Sequence, residues 1–373
     1  MSVDLAPARR RRAMPPGCAP LGRTKALALV LSLVLLPGCF VSRFYATDWP
    51  KPFETHQVHT SDGWTLDLKH VAPLGGPHRA RPVILMHGID TNGRNMDLDE
   101  KHSLALYLAR RGFDVWVPSL RGVGQSEKRP LTGPAGQEDF DDYVDGDLPA
   151  IISYVRAHTG GGEVDWVGHS MGGMVLYAYL AKGGGGIARA VTLGSPVRLA
   201  WTGKLDQLVR AFAFLAPYAS WAPIEATTHL TLPLQDTFDG PIERLLISPE
   251  NTTPQTWRRL LAVGMDDLPG GLVAQFAGWV ERDSFDSRDH RLDYLAGLRH
   301  VHVPMLVVAG KIDGIAPPWA VRPAYEALGS KEKRWLVLGE ANGQSADYNH
   351  MDMLLGERAA TDLWGRIAAF LAH

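Results

Sequence analysis

From Gln57 onward, short apolar runs alternate with longer segments in which apolar residues recur every three to four positions. The first two runs, 57–60 and 64–70, flank Ser61-Asp62-Gly63 and predict a hairpin. Runs of four to six residues, mostly rich in Val, Leu and Ile, predict buried strands at 82–86, 113–118, 164–167, 188–193, 305–309 and 334–338. Between them the helical period predicts helices at 102–111, 148–158 with Asp147 as N-cap, 171–181, 318–328 and 359–372. Strands alternating with helices in this way build a mostly parallel sheet flanked by helices, so the predicted fold class is α/β.

The alternation stops after the sixth predicted strand and resumes at 305–309. A gap of that length must have structure of its own, and helical periodicity at 205–215, 254–265 and 272–281 predicts a mainly helical cap over residues 196–302. The two parts of the sheet domain are then 55–195 and 303–373. The cap segment carries Phe212, Phe214, Tyr218, Trp221, Trp257, Phe276 and Trp279. Two readings of these aromatics stand side by side: an acyl-chain pocket or lipid-facing lid, or the core of the cap itself.

The amino terminus has a different pattern. Six basic residues and one acidic residue precede position 39, and residues 26–36 are apolar apart from Ser32. Eleven residues are too few to span a bilayer, which needs about 20. The pattern reads as an export signal over 1–38. Leu36-Pro37-Gly38-Cys39 resembles a bacterial lipobox, which implies that Cys39 becomes the first mature residue and carries lipid. Residues 39–54, with Pro50 and Pro52 and no apolar period, read as a tether. The expected location is the bacterial cell envelope, periplasmic or on the outer surface.

Composition narrows the functional classes. The whole chain of 373 residues has 45% hydrophobic and 21% charged positions, enough to bury a sizeable core. Beyond residue 38, 32 basic residues face 39 acidic ones, so nothing in the charge favours nucleic-acid binding. Cys18 and Cys39 are the two cysteines, and the first leaves with the signal, so neither a disulfide nor a cysteine metal site is expected in the mature fold. His300-x-His302 has no third ligand nearby in sequence; no metal and no cofactor are expected.

The chemistry centres on Gly168-His169-Ser170-Met171-Gly172, a G-x-S-x-G pattern between a predicted strand and a predicted helix. In a nucleophile elbow that sharp turn exposes the serine, while Gly168 and Gly172 leave room where helix crosses strand. A serine hydroxyl needs a base, and the base needs an orienting acid. In such elbows the order along the chain is serine, acid, histidine. Asp313 lies on the turn after the strand 305–309, and His350 is the histidine between Leu338 and the final helix. Asp347 and Asp352 flank His350 too closely to aim at its ring, and Asp352 reads as a brace for the loop. The oxyanion donors expected are the backbone N–H groups of Met171 and of Ile89, which follows His87-Gly88 at the end of an early strand. His87 and His169 read as structural neighbours of the site.

Together these stretches resemble the α/β-hydrolase superfamily, specifically its acid-lipase-like branch, which contains the gastric and lysosomal acid lipases. The resemblance is carried by residues 60–63, His87-Gly88-Ile89, residues 112–116, Arg121-Gly122 with Ser126, residues 147–150, the serine elbow, and His350-x-Asp352-x-x-x-Gly356-x-x-Ala359. It covers roughly 55–181 and 303–372, and the cap does not share it. Met171 departs from the glutamine usual in those lipases. The resemblance implies a serine esterase or lipase acting through an acyl-enzyme on hydrophobic or lipid esters. An acyltransferase or amidase on the same three residues, and a non-catalytic anchored binding protein, remain the alternatives.

Overall fold

The structure is a computed structural model that describes residues 42–48, 53–128, 138–199, 221–222, 224–232, 240 and 243–373. The predicted signal, Cys39, and the predicted helix at 205–215 with Phe212, Phe214 and Tyr218 lie outside the described residues.

Eight strands form one sheet: β1 (Glu54–His59), β2 (Thr65–Val71), β3 (Val83–Met86), β4 (Val115–Pro118), β5 (Val164–His169), β6 (Ile187–Leu193), β9 (Met305–Gly310) and β10 (Lys333–Leu338). Their order across the sheet is β1-β2-β4-β3-β5-β6-β9-β10. The β1–β2 hairpin is antiparallel, β2 runs antiparallel to β4, and the remaining pairs are parallel. A separate two-stranded ladder joins β7 (Trp221–Ala222) to β8 (Leu268–Pro269) within the predicted cap segment.

Side chains that alternate along each strand feed two cores, one on each face. Ile84 and Met86 of β3, Trp166 of β5, and Met305 and Val307 of β9 enter one. Val83 and Leu85, Val167, and Leu306 and Val308 enter the other. Helices Leu148–His158, Met171–Ala181 and Pro318–Ala327 cover the first face; Leu104–Ala109, Pro254–Val263 and Gly365–Leu371 cover the second. Burial of each Val, Leu or Ile side chain in these layers contributes about 1.5–3 kcal/mol.

Two helix ends differ from the sequence expectation for identifiable reasons. Helix Leu104–Ala109 starts later than 102 because Ser103, extended at φ −126°, caps it by accepting from the Leu106 N–H. Asp147 is not an N-cap: its backbone is already helical, and a π-helical turn at Tyr143–Asp147 continues upstream to Phe140–Asp142, where Asp139 forms the capping box. The Asp147 carboxylate is instead committed to Arg121, accepting from its Nε at 2.7 Å and its backbone N–H at 2.9 Å. Arg121 also donates to Asp62 at 2.6 Å, so a buried guanidinium ties the hairpin turn to the loop after β4 and to the helix.

Described residues of the segment 196–302 pack into both cores. Helix Gly270–Arg282 buries Leu272, Phe276 and Trp279, and Trp279 meets Phe140 edge-on at 4.9 Å. Phe285, Tyr294, Leu298 and Val301 then join the same core as Trp166, Met174 and Tyr177. Trp257 packs into the opposite core. Of the aromatics in the predicted cap segment, Trp257, Phe276 and Trp279 are therefore packing residues. Part of the predicted tether also docks on the body: Arg94 donates to the Thr47 carbonyl at 2.5 Å, and the Thr47 hydroxyl donates to the Leu98 carbonyl.

Candidate active site

The parallel strands β3, β5 and β9 all end at the same edge of the sheet, and the loops leaving them carry the predicted site residues. Ligands bind at that edge in open parallel sheets because loops from several strands converge there. β5 delivers Ser170, β3 delivers His87-Gly88-Ile89, β9 delivers Asp313, and the segment after β10 delivers His350.

Ser170 has φ 53° and ψ −121°, a conformation that costs an L-residue about 1–3 kcal/mol. The surroundings enforce it. The Ser170 N–H donates to the Leu193 carbonyl of β6 at 2.7 Å, and its carbonyl accepts from Gly173 and Met174 as the helix Met171–Ala181 begins. A Cβ at Gly168 would overlap the backbone of Gly172 and Gly173, and one at Gly172 would overlap the carbonyls of Met86 and His87. The two glycines thus let the helix start flush against β5 and β3. Met171, the first residue of that helix, has an N–H with no helical carbonyl to meet. Gly88 brings the β3 loop alongside, since a Cβ there would sit 3.2 Å from the Ser170 Cβ.

His350 and Asp313, 37 positions apart in sequence, meet at 2.9 Å between Nδ1 and Oδ2, with both side chains buried. The other carboxylate oxygen accepts from the backbone N–H groups of Ile315 at 2.9 Å and Ala316 at 2.7 Å. Asp313 is thereby clamped by its own loop while it accepts the His350 Nδ1–H, which leaves Nε2 with its lone pair free. The His350 ring packs against His169, the neighbour of Ser170, at 4.7 Å between centroids. No hydrogen bond joins Ser170 Oγ to His350; catalytic hydrogen bonds commonly tighten only in the complex with substrate.

The two rival aspartates have other partners. Asp347 pairs with Lys311 at 2.9 Å. Asp352 accepts from the Ser248 N–H at 3.1 Å, the Thr252 hydroxyl at 2.7 Å and the Asn349 N–H at 2.8 Å, which fastens the His350 loop to the segment above it. Burial pushes Asp352 up to about 6 despite those donors.

The neighbouring histidines are held neutral. His87 donates Nδ1–H to the Gly88 carbonyl at 2.8 Å and accepts from the Leu120 N–H at Nε2, and burial lowers it to about 4. His169 donates Nε2–H to the His350 carbonyl at 3.0 Å; burial, followed by the charge of His350, holds it well below the usual imidazole range. His169 therefore positions the His350 backbone, a role that sequence position alone did not distinguish from simple packing.

One further residue lay outside the sequence reading. Asp90, directly after Ile89, has a positive φ of 52° and borders a cavity of about 10 Å³, room for a single water, with Gly88, Met171, Leu120 and Tyr143. Burial pushes its carboxyl up to about 7, against the pull of His350. A left-handed aspartate leaves no trace in composition or periodicity. Its position after His87-Gly88-Ile89 was the signal available.

Residues 81–343 match the family described as alpha/beta hydrolase fold. The chain is 32% identical over 378 aligned positions to Lipase lipl-3 of Caenorhabditis elegans, covering 85% of this chain and 88% of the lipase. It is 31% identical to Triacylglycerol lipase 2 of Arabidopsis thaliana and 34% identical to human gastric triacylglycerol lipase, but these alignments span 37% and 34% of the two relatives. Among solved structures, an esterase from Exiguobacterium antarcticum superposes with a TM-score of 0.59 at 18% identity, covering 86% of this chain and all of the other. A monoacylglycerol lipase from Paleococcus ferrophilus gives 0.56 at 18% identity, covering 83% and 98%. The sheet order, the turn at Ser170 and the match over most of the chain lead to one assignment: this protein belongs to the α/β-hydrolase fold family.

Proposed function

We propose that the protein is a serine carboxylic-ester hydrolase that works through an acyl-enzyme, with Ser170 as nucleophile, His350 as base and acid, and Asp313 as the orienting carboxylate. The observation that carries this reading is the conjunction of the strained Ser170 backbone with a buried His350 whose Nδ1–H is fixed on Asp313 at 2.9 Å. With Nδ1 so occupied, Nε2 is the position that accepts the serine proton as Oγ attacks the ester carbonyl. The developing oxyanion is met by the N–H groups of Ile89 and Met171. Collapse of the tetrahedral intermediate expels the alcohol, protonated by His350, and leaves an acyl group on Ser170. Water then repeats the cycle with His350 again as base. Nothing in these steps calls on a metal or cofactor.

The lipase and esterase names of the relatives favour hydrophobic or lipid esters as substrates. The lipobox-like Leu36-Pro37-Gly38-Cys39 extends the proposal to a lipid anchor at Cys39, which would hold the enzyme at a bacterial envelope membrane beside such esters. Two assays test the proposal. Purified residues 40–373 hydrolyse p-nitrophenyl esters of graded chain length and Ser170→Ala does not; equal rates for the two proteins overturn the mechanism. In cells, Cys39→Ala abolishes incorporation of labelled lipid; unchanged labelling overturns the anchor.

A further inference from the structure

At the opposite end of the sheet from Ser170, the β1–β2 edge gathers Glu54, His56 and His70. Glu54 and His56 alternate onto one face of β1, and Glu54 pairs directly across the ladder with His70. One ligand atom from each lies within 4.8 Å of the others, the one such group of three among the described residues. A single Glu54 carboxylate oxygen sits 3.7 Å from His56 Nε2 and 3.6 Å from His70 Nδ1. Both nitrogens are buried and lack a hydrogen bond. Those separations are too long for hydrogen bonds. They are close to the roughly 3.3 Å edge of a tetrahedron with metal–ligand bonds of 2.0–2.1 Å.

The far nitrogens of both rings are occupied. His70 Nε2 is bonded to Asp114 at 2.6 Å, and His56 Nδ1 to the Tyr154 hydroxyl at 3.0 Å. A carboxylate accepts, so His70 donates from Nε2 to Asp114, and in the neutral ring that tautomer turns the Nδ1 lone pair toward Glu54. A carboxylate behind a ligating histidine orients the ring and raises its basicity, the arrangement found around protein-bound zinc. His70 is further fixed by stacking on Trp116 at 4.1 Å.

We propose that Glu54, His56 and His70 form a zinc-type divalent metal site, with Asp114 and Tyr154 supporting the two imidazoles and a fourth position open to solvent. Nitrogen and oxygen donors without cysteine suit Zn²⁺ and its neighbours Co²⁺ and Ni²⁺ rather than Ca²⁺ or Mg²⁺. The site lies at the far end of β1, so its ion clips the edge strand to β2 and, through Tyr154, to the helix Leu148–His158. It takes no part in ester cleavage. The histidines at 300 and 302 offer no competing pair: His300 Nε2 accepts from Arg299, and His302 Nδ1–H donates to Gly329.

The test uses untagged, chelator-treated protein titrated with Zn²⁺ by calorimetry, with Co²⁺ absorption reporting geometry and thermal unfolding reporting linkage. The expected result is one ion per chain, a tetrahedral Co²⁺ spectrum and a melting temperature that rises with zinc. His56→Gln/His70→Gln loses all three, while His59→Gln, an exposed neighbour on the same strand, keeps them. Asp114→Asn, which retains every ligand, binds zinc about 10- to 100-fold more weakly and gives a reading even where the double variant fails to fold. Wild-type protein that takes up no stoichiometric ion, or an affinity unchanged by Asp114→Asn or by the double substitution, overturns the site.

Discussion

Replacing Asp313 by asparagine isolates the role of the acid without altering its shape. One carboxylate oxygen accepts from two backbone N–H groups, Ile315 and Ala316, and the other accepts from His350 Nδ1. A carboxamide must turn its oxygen toward the two N–H donors, because its NH₂ would face them donor to donor. The NH₂ then points at His350 and demands a lone pair at Nδ1, which forces the ring proton onto Nε2. An imidazole in that tautomer cannot take the Ser170 proton. The loss expected is about 10⁴-fold in kcat, or about 5 kcal/mol of transition-state stabilisation. KM for a p-nitrophenyl ester and the thermal midpoint stay close to wild type, because neither substrate contacts nor packing change. Asp347→Asn, whose partner is the exposed Lys311, leaves kcat little changed. A folded Asp313→Asn enzyme that retains kcat within about tenfold, or an equal loss from Asp347→Asn, refutes the assignment of the acid.

Other outcomes follow from the same geometry. Gly172→Ala forces a methyl group against the Met86 and His87 carbonyls, and a loss of about 1–3 kcal/mol is expected in urea unfolding; wild-type stability would show that the helix is not held flush against β3. Asp147→Ala removes the buried one of the two carboxylates that hold Arg121 and should cost about 3 kcal/mol or more, against about 1 kcal/mol for loss of a helix cap. Urea unfolding separates the two values. His87, lowered to about 4 from 6.5 by burial, is neutral when folded but takes a proton between those values when unfolded. Its contribution is therefore full above pH 6.5 and falls as pH drops toward 4, by about 3 kcal/mol in all. Urea unfolding across that range should show a shallower loss in His87→Gln than in wild type, and parallel curves would contradict the burial argument.

The sheet is legible in the chain because the buried strands are short apolar runs set off by turns, and the candidate site residues sit at their ends. Residues 164–167 and 171–181 needed no tertiary information to bracket Ser170 as strand and helix. Asp313 and His350 were locatable by their order on successive strand ends, although their contact spans two loops. What local pattern could not carry was competition between distant groups. Asp147 has the chemistry of a cap, but a buried guanidinium binds a carboxylate more strongly than a helix start does, and Arg121 takes it. Trp257, Phe276 and Trp279 read equally as pocket or core along the chain, because the groups that cover them, Phe140 and the two faces of the sheet, are distant in sequence. Asp90 depends on a backbone angle. Glu54, His56 and His70 depend on hairpin register, since Glu54-x-His56 becomes suggestive only when His70 is known to lie across from it.

The central claim is that an acyl group passes through Ser170, and trapping that intermediate tests it most directly. Wild-type enzyme mixed with excess p-nitrophenyl ester, acid-quenched before the first turnover completes, and digested for mass spectrometry should show one added acyl mass on the peptide containing Ser170, together with a burst of p-nitrophenol equal to the enzyme. Ser170→Ala should show neither. An acyl group on another residue, or turnover that persists in Ser170→Ala with no adduct, would contradict the account.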